Sequence, residues 1–187
     1  MSIYLKRIQL LKEHHNLNPF FLYFKEGLNI IVGENGSGKS TLLDLVTGNH
    51  SKELVKLDFE KGAEYRFLDT EKHNPRTKSN LSKSKNIMFE VSARFMSHGE
   101  AILMLLEGAK DFKDLLLIVD EPEAGVSLKN QIKVLDVLNK LVKEANCQVL
   151  LATHSYPIIK SEEQIYSMDL GAWIDSKGYL NGVFNYK

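Results

Sequence analysis

The chain is poor in cysteine, proline and tryptophan, with one Cys, four Pro and one Trp among 187 residues. The single cysteine, Cys147, excludes an intrachain disulfide framework and any cysteine-rich zinc site, and it suits a reducing compartment. Neither sign of charge is in excess: Lys+Arg and Asp+Glu are both 24. That balance argues against a generally basic nucleic-acid binder, although it allows a local patch. No apolar run approaches the ~20 residues that span a bilayer. The N-terminus, Met1-Ser2-Ile3-Tyr4-Leu5-Lys6-Arg7, lacks the apolar core and small-residue cleavage site of a secretory signal. These absences predict a cytoplasmic protein with no membrane insertion. Internal repeats and low-complexity segments are also missing. The rest is ordinary for a globular protein: 43% hydrophobic and 26% charged residues, over a length that suits one domain, 1–187, with a substantial core.

One stretch dominates what is present. Gly33-Glu34-Asn35-Gly36-Ser37-Gly38-Lys39-Ser40-Thr41 reads as G-x-x-x-x-G-K-S, a phosphate-binding P-loop. The run Leu28–Val32 before it reads as a buried strand, and Lys39–Thr47 after it as a helix stopped near Gly48. The glycines let the backbone turn tightly and aim N–H groups at phosphate, and the helix N-terminus adds partial positive charge. Asn35, Gly36, Ser37, Gly38, Lys39, Ser40 and Thr41 are the expected nucleotide contacts. Lys39 has the reach for the β- and γ-phosphates, and the Ser40 hydroxyl suits Mg²⁺. The alternative is a glycine-rich turn of no chemical consequence.

Residues 2–11 alternate loosely and predict a strand; 12–19 form a polar turn; Phe20–Phe24 is a second strand. His14 and His15 read as solvent-facing turn residues, because no partner ligands lie nearby in sequence. An aromatic or basic residue of this region is expected at an adenine ring, without a choice among them. Two β-like runs follow the P-loop helix, Leu54–Phe59 and Glu64–Leu68. A basic stretch with Lys72, Arg76 and Lys78 reads as a solvated loop, the alternative being a loop that faces a partner or nucleic acid, which the lack of interleaved aromatics does not favour. Ser97-His98-Gly99-Glu100 precedes an apolar helical run and, taken alone, is a capping box. Leu115–Val119 is an apolar strand that ends in Asp120-Glu121-Pro122. Acids at the C-terminal end of such a strand sit where α/β folds bind ligands. Asp120 suits Mg²⁺, and Glu121 suits polarisation of an attacking water. Ser127–Ala145 is a helix with Ile132, Leu135, Leu138, Leu141 and Val142 in its stripe. Gln148–Thr153 is another buried strand, ending at His154-Ser155. The C-terminal part reads as one or two edge strands and a tail.

In this order the pieces resemble an ABC-type ATPase over residues 28–155. The Ser-x-Gly-Glu quartet stands in the signature position, Asp120-Glu121-Pro122 as Walker B, Glu123–Ser127 as D-loop and His154 as switch histidine. The resemblance implies an α/β P-loop fold, a mainly parallel sheet flanked by helices with an antiparallel part from the N-terminal strands and the 54–68 region. It implies ATP and Mg²⁺ as cofactors, with Lys39, Glu121 and His154 catalytic and Ser40 and Asp120 on the metal. It further implies a head-to-tail homodimer in which Ser97 and Gly99 reach the partner's ATP. Two departures stand out. The interval from Lys39 to Ser97 is short, which implies a reduced helical subdomain and leaves no coiled coil. No glutamine lies between Gln9 and Gln131 to mark the loop after the third strand, where Asp69, Thr70 or Glu71 stands instead. The chain is similar to small ATPases of bacteria and phage that act beside a separate effector such as a defence nuclease; the alternative is the motor of a membrane transporter.

Overall fold

Three short, nearly unbroken apolar strands decide the architecture. The computed structural model describes residues 2–69 and 112–184. Its strands are β1 (Leu5–Leu10), β2 (Phe20–Tyr23), β3 (Leu28–Val32), β4 (Val55–Phe59), β5 (Tyr65–Asp69), β6 (Leu116–Asp120), β7 (Gln148–Ala152), β8 (Gln164–Ser167) and β9 (Ala172–Asp175). Its helices are α1 (Lys39–Thr47), α2 (Leu128–Glu144), α3 (Tyr156–Lys160) and α4 (Ser176–Phe184).

All of β3 and β7 is buried, and β6 is buried up to its last residue. Successive residues of a strand point to opposite faces, so these strands feed two cores. Leu28, Ile30, Leu117, Val119, Val149 and Leu151 join Val134, Leu138 and Leu141 of α2 on one face. Ile31, Leu116, Ile118 and Leu150 join Leu42, Leu43 and Leu45 of α1 on the other. A strand buried on both faces belongs inside a parallel sheet. The observed order is β5-β6-β7-β3-β8-β9, parallel throughout except for the antiparallel β8–β9 pair. A separate antiparallel sheet, β2-β1-β4, closes the α1 side, where Leu5, Ile8 and Leu10 enter the same core.

Three expectations need correction. The 54–68 region does not contribute wholly to the antiparallel part. β4 buries mainly one face and pairs with β1, whereas β5 pairs parallel with β6. The reason is that Phe67 packs on one core and Leu68 on the other, so β5 suits a sheet covered on both sides. The C-terminal part is not only edge strand and tail: β8 lies inside the sheet, and α4 packs Tyr179 and Leu180 onto the α2 core. Ile132 is 49% exposed and lies off the stripe of α2, whose buried residues are Val134, Leu138, Leu141 and Val142.

One buried side chain makes four hydrogen bonds between the parallel sheet and the start of β1. Gln148, at the first position of β7, is 1% exposed. Its Oε1 accepts from the N–H groups of Tyr4 and Leu5 at 2.9 and 2.8 Å. Its Nε2 donates to the carbonyls of Leu5 and Lys25, both at 3.0 Å. A primary amide has two donors and two acceptor sites, and here all four are used.

Candidate functional site

Strand order brings the motifs together. The P-loop leaves β3, Asp120 and Glu121 end β6, and His154 follows β7, which lies between β3 and β6. Three ladder bonds hold these ends in register. Glu121 N–H donates to the Ala152 carbonyl at 2.9 Å, Thr153 N–H to Ile31 at 3.1 Å, and Met168 N–H to Val32 at 2.8 Å. Parallel strands thus deliver all three motifs to one rim.

A cleft of about 380 Å³ opens there, within the size range of ligand sites. It is lined by Asn35, Gly36, Gly38, Lys39, Ser40, Thr41 and Glu121, together with His15 and Asn16. Lys39 is buried, and its Nζ donates to the carbonyls of Gly33 and Glu34 at 3.0 and 3.2 Å. Those bonds hold the ammonium inside the P-loop. Ser37 does not line the cleft; its Oγ is buried without a hydrogen-bond partner. Gly38 caps α1 at φ 98°, a left-handed conformation that glycine adopts without penalty. A Cβ there would also stand 2.4 Å from Leu17 Cδ2.

The β1–β2 turn is a wall of the site, which its sequence did not reveal. His14 and Leu17 exchange backbone bonds at 3.0 and 2.9 Å, closing a tight turn. The Asn16 amide donates to the Gly36 carbonyl. His15, at φ 52°, is exposed on the cleft. His14 is not simply solvent-facing: it is half-buried, and its Nε2 is fully enclosed.

On the opposite wall, Glu121 holds a left-handed φ of 44°. Such backbone costs of order 1 kcal/mol for a non-glycine residue and clusters at functional sites. Glu121 Oε1 lies 3.6 Å from His154 Nε2. Ser40 and Asp120 supply a hydroxyl and a carboxylate at this rim, hard oxygen donors of the kind Mg²⁺ takes. Ser97 and Gly99, with the loop residues Thr70 and Glu71, lie outside the described residues.

Glu123 ties the Walker B side to the histidine. Its carboxylate accepts from the His154 N–H and is bonded by the Thr153 side chain, while Oε2 is buried without a partner. Burial pushes its pKa up, against the lowering by those bonds. The folded state therefore holds this proton to higher pH than the unfolded chain. Stability falls as pH rises from the unfolded value through the raised folded one, and the burial penalty is fully present above it. Glu123→Gln removes the ionisation and keeps one acceptor. The variant's unfolding free energy is expected to fall less than the wild type's as pH rises above the ordinary carboxylate range. Parallel pH slopes in urea titrations would refute the assignment.

A family model described as an AAA domain matches residues 3–95. The zinc import ATP-binding protein ZnuC of Mannheimia succiniciproducens is 29% identical over 71% of this chain and 58% of its own length. That of Vibrio cholerae is 25% identical over 75% of this chain and 63% of its own length. The chain therefore spans under two thirds of these relatives. Among solved structures, a nucleotide-free ATP-binding cassette from an ABC transporter superposes with a TM-score of 0.67 at 17% identity, covering 97% of this chain and 94% of that one. The SMC head domain from Thermotoga maritima gives 0.62 at 14% identity, covering 88% and 94%. With the P-loop, the Asp120-Glu121 strand end and His154 assembled on this sheet, the chain has the fold of the ABC-type P-loop ATPases and is similar in sequence to their ATP-binding subunits.

Proposed function

We propose that the chain binds MgATP in the cleft and hydrolyses it, working as a head-to-tail dimer whose state is read by a separate partner. The observation that carries the reading is the convergence of Lys39, Glu121 and His154 at the ends of three adjacent parallel strands. Lys39 and the α1 N-terminus bind the triphosphate, and His15 offers a flat ring to the base. Glu121 accepts a proton from the attacking water, and His154 orients the γ-phosphate. Ser40 and Asp120 would hold Mg²⁺, which would supply charge neutralisation on the phosphate oxygens. Ser97 and Gly99 act on the nucleotide of the second copy.

Two partners fit. The short interval between Lys39 and Ser97 favours a soluble effector such as a nuclease. The matched relatives are named as import ATP-binding proteins, and that favours a membrane permease. Lys39→Ala tests the core of the proposal. Loss of a charge-assisted contact worth ~1.5–3 kcal/mol weakens ATP binding about 10- to 100-fold. Unchanged binding by calorimetry would remove the P-loop assignment. The partner is separable: Glu121→Gln protein isolated from its native host with MgATP should retain either a permease or a soluble effector.

A further inference from the structure

We propose that His14, Asp44 and His50 form a site for a divalent transition ion of the Zn²⁺ class, which pins the β1–β2 turn to the far end of α1. The three residues come from three places in the chain: the turn, the outer face of α1 and the segment just after it. Each offers one ligand atom, and these atoms all lie within 4.8 Å of one another. It is the one such group among the described residues. Ligand atoms around a tetrahedral ion with bonds of ~2.0–2.1 Å stand roughly 3.3 Å apart, so small side-chain rotations close the set.

A bland alternative accounts for part of the cluster. His50 Nε2 lies 3.0 Å from Asp44 Oδ2 and 3.2 Å from the Asp44 carbonyl, which reads as an ordinary local hydrogen-bonding contact. It does not account for His14, whose Nε2 is buried with no hydrogen-bond partner although its ring stands 5.4 Å from that of His50. A buried ring nitrogen without a partner is costly, and a bound ion would satisfy it. The chain also makes room for the arrangement. A Cβ at Gly48 would lie 2.4 Å from His50 Nε2, so a larger residue there would drive the imidazole off Asp44. Two imidazoles and one carboxylate select a borderline ion such as Zn²⁺ or Co²⁺ over Mg²⁺ or Ca²⁺, and water completes the shell.

The placement gives the ion a task. The His14 ring packs edge-on against His15 with centroids 4.3 Å apart, and Asn16 bonds the P-loop at Gly36. Fixing His14 therefore fixes the wall that carries His15 and Asn16. The ion site itself does not depend on what the cleft binds.

The test uses untagged protein without nucleotide or Mg²⁺. Co²⁺ should give the visible absorption of a four-coordinate nitrogen–oxygen site at one ion per chain, and Zn²⁺ should displace it. Amide exchange over residues 12–18 should slow on adding Zn²⁺. His14→Ala and His50→Ala should each weaken Zn²⁺ by more than the roughly 10- to 100-fold that loss of an orienting partner costs, and should abolish the exchange protection. Cys147→Ser should bind as the wild type does. Thermal unfolding without metal confirms that the variants are folded, and Asp44→Asn offers a second route if one is not. Unchanged Zn²⁺ affinity in the His14→Ala, His50→Ala double variant, or no stoichiometric ion in the wild type, overturns the site. Stoichiometric binding without slower exchange overturns the pinning.

Discussion

Glu121→Gln should bind ATP and turn it over about 10²- to 10⁴-fold more slowly, the usual contribution of a positioned general base. The amide keeps the size of the side chain, so the left-handed turn at residue 121 and the ladder bond to Ala152 persist. What is lost is the carboxylate charge that would polarise water, beside His154 Nε2 at 3.6 Å. Single-turnover measurement separates this from a binding defect: the dissociation constant for ATP should move little while the chemical step collapses. The variant should also accumulate as an ATP-bound dimer in light scattering. Turnover near the wild-type rate would place the base elsewhere.

Gln148→Leu should cost at least ~3 kcal/mol of stability, read by urea unfolding. The leucine fills the volume but strands the Tyr4 and Leu5 N–H groups and the Leu5 and Lys25 carbonyls. Each buried backbone group left without a partner costs ~1–3 kcal/mol, and small shifts that admit water recover part of that. Against a typical total of 5–15 kcal/mol, the loss is a large share. Gln148→Glu should be nearly as damaging, because a carboxylate accepts from the two N–H groups but cannot donate to the carbonyls. A loss under about 1 kcal/mol in Gln148→Leu would mean that the amide does not hold the two sheets together.

The sheet's interior was readable because Leu28–Val32 (apolar but for Asn29), Leu116–Val119 and Val149–Ala152 are short apolar runs, and such runs have few other homes. The P-loop was readable because its glycines and Lys39 serve one purpose at fixed spacing. Sheet membership of Tyr65–Asp69 was not, because a half-polar strand of five residues fits an edge of either sheet until its neighbours are known. Gln148 was read only as a strand residue, since its value lies in partners at Tyr4, Leu5 and Lys25. The turn at His14–Leu17 was opaque for the same reason: its contacts with Gly36, Asp44 and His50 are long-range, and local polarity resembles any solvated loop.

The order of the sheet also has a consequence for biosynthesis. The P-loop strand β3 has β7 and β8 as its two neighbours, both made long after it. While the chain is being synthesised, β3 carries two unsatisfied edges and its loop has no opposite wall. Long-range parallel pairing of this kind is slow and exposes aggregation-prone edges. Nucleotide that needs Lys39 and Glu121 together can engage only after residues 148–167 have threaded in beside β3. Its capture thus marks late completion, and high nucleotide concentration during synthesis should raise the yield of native chains.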